Sequence, residues 1–356
     1  MSEFFHECSS FRLHLREEIM ESDDKMNKTC KGVLRIFAVT VCLCFAAWVY
    51  VAQPSWRPPS VSPLHQPHQG PSLKETVRTL SVDLHPRDVG HPENLRKTAD
   101  WIADHFKNAG GKVTRQQVDA WGTAFENVSC FFDGPGDRRI VVGAHYDAYL
   151  GTPGADDNAS GVAGLIEIAY QLGQLEPGCD VELVAYCPEE PPYFGTRVMG
   201  SAVHAAALQR DGVEVVGMIA LEMIGFFSDQ PDSQAYPIPA LALLYPSRGT
   251  FIAVISRLDQ REMVGKVKRS MKKIGQLPVY SFVGPVSLNG IDFSDHRSYW
   301  ESGVPAVMVT NTAFYRNHEY HEPGDTADRL DYDRMRQVTQ AVILAVLDLA
   351  DAPAAP

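Results

Sequence analysis

VELVAYCPEEPPYFG, residues 181–195, decides the fold. Its opening run, VELVAYC, is almost wholly apolar and reads as a strand covered on both faces. It ends in two adjacent carboxylates, Glu189 and Glu190, followed by two prolines. Like charges side by side repel, and partial burial raises the cost. A pair placed at the end of a core strand therefore asks for positive charge nearby.

Working outward, RRIVVGAHYD (residues 138–147) and VVGMIALEMIG (residues 215–225) have the same form, an apolar run closing on His or acidic residues. KVTRQQV, NVSCFFDG and VPAVMVTN read as further strands. Helical spacing marks PENLRKTADWIADHFKNAGG, NASGVAGLIEIAYQLGQL, MGSAVHAAALQRDG and the closing DYDRMRQVTQAVILAVLDLAD. GTFIAVISRLDQREMVGKVKRSMKKIG, residues 249–275, is expected to be one or two helices. Strands alternating with helices, with continuously apolar strands, place the chain in the α/β class. A largely parallel sheet covered by helices on both faces is expected. In such sheets, sites form beyond the carboxyl ends of strands.

The 356 residues suffice for one large domain, and 45% of them are hydrophobic. The net charge of -12 arises after residue 75, because the first 75 residues carry eight acidic and eight basic side chains. With no basic stripe, nucleic acid is excluded as a partner. The seven cysteines show no C-x-x-C spacing. Cys130, Cys179 and Cys187 read as packing residues, with one disulfide among them open in an oxidising compartment.

IFAVTVCLCFAAWVYVA, residues 36–52, is uncharged and approaches the short end of the roughly 17–25 residues a spanning helix needs. Lys25, Lys28, Lys31 and Arg35 precede it and only Arg57 follows before Lys74, which places the N-terminus in the cytoplasm. The organisation expected is a cytoplasmic tail (1–35), a transmembrane signal-anchor helix (36–52), a Pro-rich stalk (53–71) and a catalytic domain (72–353). That domain would lie outside the cytoplasm, in a periplasmic, extracellular or luminal space. A cleaved signal peptide starting at Met26 and a buried core helix are the competing readings of the apolar segment.

Acidic and imidazole groups gather at the expected strand ends. His145 and Asp147 follow one strand, with Asp156 and Asp157 in the next loop. Glu189 and Glu190 follow a second, Glu222 a third, and His318 and His321 lie beyond a fourth. Carboxylates at this density do not all stay ionised unpaired, and no cluster of Lys or Arg lies nearby in sequence. His with Asp and Glu suits zinc, and two ions about 3.5–4 Å apart need one bridging carboxylate. One glutamate of the pair would then bind metal while its neighbour serves as a base. Asp295 and His296 read either as a helix start or as residues near the cleft, and His204 as a surface or core-edge histidine.

His145-x-Asp147, GADDNASG, Glu189-Glu190, LEMIG and Tyr320-His321, in that order, resemble the co-catalytic two-zinc aminopeptidases. That family includes bacterial leucyl aminopeptidases, aminopeptidase Y and glutamate carboxypeptidase II. The resemblance implies a three-layer α/β/α sandwich with one mixed sheet, two Zn2+ per chain and a peptide substrate. It implies that Asp157 bridges the ions, with His145 and Glu222 completing one site and Glu190 and His321 the other. Glu189 would be the general base toward a metal-activated water, Asp147 would hold the His145 ring, and Tyr320 would donate to the oxyanion. It also suggests a cis peptide between Asp157 and Asn158, and leaves Asp156 as a helix N-cap. Glu222 departs from the aspartate common at that position, and PPYFGTRVMGS replaces a shorter turn.

The expected function is a membrane-anchored zinc aminopeptidase. Alternatives are a single-zinc glutaminyl cyclase, a carboxypeptidase or dipeptidase specificity, and a receptor-like relative without catalysis. Every expected ligand position holds a residue able to bind metal, which argues against the last.

Overall fold

The computed structural model describes residue 20 and residues 30–54 and 70–351. Most of the expected cytoplasmic tail (1–19 and 21–29) and of the Pro-rich stalk (55–69) lies outside the described residues, as do residues 352–356. The chain divides into two units, Met1–Tyr50 and Val51–Pro356. Helix α1 (Cys30–Ala52) has 23 residues, about 34 Å at the α-helical rise, enough for a hydrocarbon core of about 30 Å. Val33, Leu34, Ile36, Phe37, Val39 and Leu43 are all exposed. Among the described residues it is the one helix long and apolar enough to cross a membrane, by length and composition. It begins six residues before the apolar run and takes Lys31 and Arg35 into its first turns.

The second unit opens with α2 (Leu73–Arg78), entered through a capping box between Ser72 and Glu75. Then come α3 (Pro92–Asn108), β1 (Lys112–Ala120), β2 (Thr123–Phe132), β3 (Arg138–His145), α4 (Gly161–Leu172), β4 (Asp180–Tyr186), α5 (Gly200–Arg210) and β5 (Glu214–Glu222). The chain continues through β6 (Ile252–Arg257), α6 (Arg261–Met271), β7 (Val279–Gly284), α7 (His296–Glu301), β8 (Ala306–Thr310) and α8 (Tyr332–Ala350). The eight strands form one sheet in the order β1-β2-β4-β3-β5-β8-β6-β7. β4, β3, β5 and β8 run parallel, as do β6 and β7, while β1–β2, β2–β4 and β6–β8 are antiparallel. The sheet is mixed with a parallel centre, as expected.

Alternation along the central strands shows the two covered faces. Ile140, Val142 and Ala144 of β3, with Ile219 and Leu221 of β5, pack into the core shared by α2, α3, α4, α6 and α8. Val141, Met218 and Ala220 point the other way, onto Ala205 and Leu208 of α5 and Tyr299 and Trp300 of α7. This is the three-layer α/β/α sandwich, and its parallel strands deliver their carboxyl ends to one edge.

The helical expectation for residues 249–275 is corrected. Ile252–Arg257 is strand β6, and the α-helix starts only at Arg261. Ile252, Val254 and Ile255 are β-branched and stiff at χ1; all three pair with β7, and Val254 and Ile255 also with β8. Strand pairing overrides a pattern that is ambiguous for a short apolar run. Cys130, Cys179 and Cys187 are buried and free, so the packing reading holds and the disulfide does not form. His204 is buried rather than at the surface, bonded to Glu182 (2.9 Å) and to the Tyr299 hydroxyl (2.7 Å).

Candidate metal centre

His145 is the last residue of β3 and Glu222 the last of β5, while Glu189 and Glu190 follow β4. Asp157 lies in the loop entering α4, and the peptide bond after it, to Asn158, is cis. Tyr320 and His321 come from the long segment between β8 and α8. The sheet therefore carries four of these groups to one edge, and two loops bring the others.

The Nε2 of His145 is 3.4 Å from Asp157 Oδ1 and 3.4 Å from Glu222 Oε2. The Nε2 of His321 is 3.2 Å from Asp157 Oδ2 and 3.2 Å from Glu190 Oε2. Charge-assisted hydrogen bonds close to about 2.7–2.9 Å, and these contacts are longer than that. They match the edge of a coordination tetrahedron, about 3.3–3.4 Å when its arms are about 2.0–2.1 Å. Asp157 presents one oxygen to each histidine, the disposition a bridging carboxylate needs. Donor atoms of His145, Asp157 and Glu222 lie within 4.8 Å of one another, as do those of Asp157, Glu190 and His321. A third grouping, His145, Glu189 and Glu190, meets the same distance. Glu189 Oε2 stands farther from His145 Nε2, at 3.9 Å. The chemistry of this donor set, His with Asp and Glu, fits zinc.

Electrostatics point the same way. Burial, with Glu190, Asp295 and Glu222 adding to it against the pull of His145, drives the Glu189 carboxyl well above its usual range. Burial and Asp157 push Glu190 up to about 7. Burial works against charge on His321, yet Asp157 and Glu190 raise it to about 10. Burial opposes His145 too, and Glu189, Glu222, Asp147 and Asp157 overcome it. The cluster holds more carboxyl groups than two imidazolium groups can keep ionised, and the raised carboxyls mark that deficit of positive charge.

Asp147 contributes more than the sequence suggests. The Nδ1 of His145 is 3.2 Å from its backbone carbonyl and 3.5 Å from its carboxylate. That carboxylate accepts from the backbone N–H groups of Glu189 (2.9 and 3.1 Å) and Glu190 (3.0 Å). One side chain thus fixes both a histidine and the Glu-Glu turn. Asp156 is not an N-cap. Its Oδ1 accepts from Gly225 and Phe226 N–H, and its Oδ2 from the Asn311 and Asn317 amides. It ties the Asp157 loop to the strand ends on either side. His318 is exposed and outside the cluster. Asp295 is fully buried and among the charges that raise Glu189, while His296 is held by the Ile291 carbonyl at 2.8 Å.

Several supporting residues carry no sequence signal. Asp325 accepts from the N–H groups of Asp156 and Asp157. Ser294 donates to Glu222 Oε2 at 2.7 Å. Arg87, 1% exposed, donates to the carbonyls of Leu80, Tyr146, Pro153 and Gly154. Gly154 is left-handed (φ +59), and a Cβ there would stand 2.4 Å from the Asp157 carbonyl oxygen, so the glycine of GADDN has no substitute. These are single side chains from distant loops, aimed at backbone groups, and no spacing marks them.

A pocket partly open to solvent borders Glu222. Tyr236, Tyr245, Phe251, Tyr280, Phe293 and Phe314 contribute to its wall, which contains no Lys or Arg. The hydroxyls of Tyr236 and Tyr245 are bonded to the carbonyls of Pro246 and Ser281, so these rings have spent their polar atoms on the protein.

The sequence profile of peptidase family M28 matches residues 127–346. The Escherichia coli K12 protein YfbL is 46% identical over 321 residues, covering 87% of this chain and 95% of that one. Leucine aminopeptidase 1 of Trichoderma harzianum is 23% identical over 276 residues, covering 72% of this chain and 63% of its own length. Among solved structures, LapB of Legionella pneumophila superposes with a TM-score of 0.63 at 20% identity, over 79% of this chain and 72% of that one.

Proposed function

This chain belongs to peptidase family M28, and from that premise we propose that it is a membrane-anchored aminopeptidase holding two zinc ions, with Glu189 as general base. The metallo-exopeptidase class follows from the family. The observation that carries the finer reading is Asp157, with one oxygen toward His145 and the other toward His321. His145 and Glu222 would hold one ion with Asp157, and Glu190 and His321 the other. Zinc bound there supplies Lewis acidity, polarising the scissile carbonyl and making water acidic enough for a carboxylate base near neutral pH.

The protein's own groups do the rest. Glu189, anchored through its N–H to Asp147, accepts the proton of the attacking water at its carboxylate and delivers it to the leaving amine. Tyr320, its ring stacked on His321, turns its hydroxyl to the oxygen that gains charge as the carbonyl is attacked. Asp147 keeps His145 and the Glu-Glu turn in register.

An acidic cluster favours a substrate's free amino end over its carboxylate. The carbon-lined cavity beside Glu222 suits an uncharged, apolar N-terminal side chain. Helix α1 would anchor the enzyme in a bilayer, with the basic residues before it on the cytoplasmic side and the catalytic unit beyond it.

A substrate panel tests the specificity. Leucyl and phenylalanyl anilides with free amines are expected to exceed their N-acetylated, glutamyl and lysyl counterparts in kcat/KM by at least about tenfold, the discrimination apolar pockets commonly supply. Equal cleavage of N-blocked substrates, or release of C-terminal residues, would contradict the amino-end reading.

A further inference from the structure

His145 and His321 are oriented by different means. His145 is 1% exposed, and its Nδ1 meets the Asp147 carbonyl. Metal-binding histidines ordinarily fix their ring this way, through the nitrogen that does not face the metal. His321 is 21% exposed at its side chain, and among the described residues no hydrogen bond is recorded for its Nδ1. Its backbone is left-handed (φ +60), in a long segment rather than at a strand end. Yet its Nε2 stands 3.2 Å from both Asp157 Oδ2 and Glu190 Oε2.

The ring is held by its faces instead. Tyr320 stacks on it with centroids 3.8 Å apart and planes 18° from parallel. Tyr149 stacks on it at 4.0 Å and 9°. Rotation about the His321 Cβ–Cγ bond would swing the imidazole edge into these tyrosines. Tyr149 is itself well anchored. Its carbonyl accepts from the Thr152 N–H (3.0 Å) and hydroxyl (2.8 Å). On one side of it the Ala148 N–H bonds the Arg87 carbonyl, and on the other the Gly151 N–H bonds Asp88.

We propose that Tyr149 is a positioning residue for the second metal site, its ring face fixing the His321 imidazole plane in place of the hydrogen-bonding partner that His145 has. This rests on the reading of His321 as a ligand. Tyr149 touches neither ion nor substrate in this role; it acts through His321, and its hydroxyl takes no part.

The test uses the full-length chain in detergent, loaded with zinc and dialysed against a graded zinc-buffering chelator, with bound zinc counted per chain. Tyr149→Leu removes the aromatic face and keeps apolar bulk; Tyr149→Phe removes only the hydroxyl. The Leu variant is expected to lose one ion at about tenfold or more higher free zinc than the parent, the lower bound for losing an orienting partner. Its other ion should leave at the parent's concentration, and the Phe variant should match the parent. Three results would overturn the proposal: the Leu variant holding both ions as the parent does, the Phe variant weakening as much as Leu, or both ions weakening together. A parent chain that binds fewer than two ions would instead defeat the two-zinc reading on which the proposal rests.

Discussion

Glu189→Gln is expected to keep its full complement of zinc and lose about 10²–10⁴-fold in kcat, with KM little changed. That range is what a positioned general base contributes. The amide has the shape of the carboxylate but cannot accept the proton. The backbone bonds from Glu189 and Glu190 to Asp147 do not involve the replaced atoms, so the turn and its neighbour Glu190 should stay in place. Glu189 stands 3.9 Å from His145 Nε2, against 3.2–3.4 Å for the four contacts of the proposed ligands. Steady-state kinetics on a leucyl anilide beside elemental analysis of the same sample checks both halves. Turnover near the parent rate would remove Glu189 from the proton path, and loss of an ion would move it into the ligand set.

Asp157→Asn is expected to be more damaging. A bridge needs an anionic oxygen toward each ion, and asparagine offers one neutral oxygen and an amide that repels the second ion. The variant should retain at most one zinc per chain and fall to background activity. Asp156→Asn is the informative contrast, since the two residues are adjacent and carry the same side chain. Both oxygens of Asp156 accept protein N–H groups, so an amide there confronts a donor with a donor. That costs about 1–3 kcal/mol of stability and should leave zinc binding intact. Thermal unfolding and zinc content, measured on both variants, separate a structural aspartate from a bridging one. If Asp156→Asn lost the ions and Asp157→Asn kept them, the assignment would be reversed.

The parallel centre of the sheet was legible in the sequence. IVVGA, LVAY and VVGMIAL are continuously apolar because helices cover both sides, and each leads into a group that reaches the site. β6 was not legible, because FIAVIS precedes a true helix with no glycine or proline between them. β7 was hidden for a related reason: VYSFVG is short and lies at the sheet edge. The residues now gathered at the site were readable because their chemistry is conspicuous at strand ends. Their support was not. Arg87, Asp88 and Asp325 act on backbone groups across loops, and the second role of Asp147, on the Glu-Glu turn, follows only from the course of the chain. Asp156 was misread as a cap because an aspartate before a helix usually is one; here the loop turns its carboxylate back toward β5 and the segment after β8. Tyr149 had no motif at all, since ring stacking across 172 positions leaves no periodic trace.

The central claim is that the acidic cluster is tolerable because two dications share Asp157. Anomalous diffraction from crystals of the zinc-loaded protein, on either side of the zinc edge, tests it most directly. The account predicts two peaks about 3.5–4 Å apart, one beside His145 and Glu222 and one beside Glu190 and His321, with Asp157 between them. A single peak in fully active protein, as a one-zinc cyclase would show, or two peaks that Asp157 does not join, would contradict it.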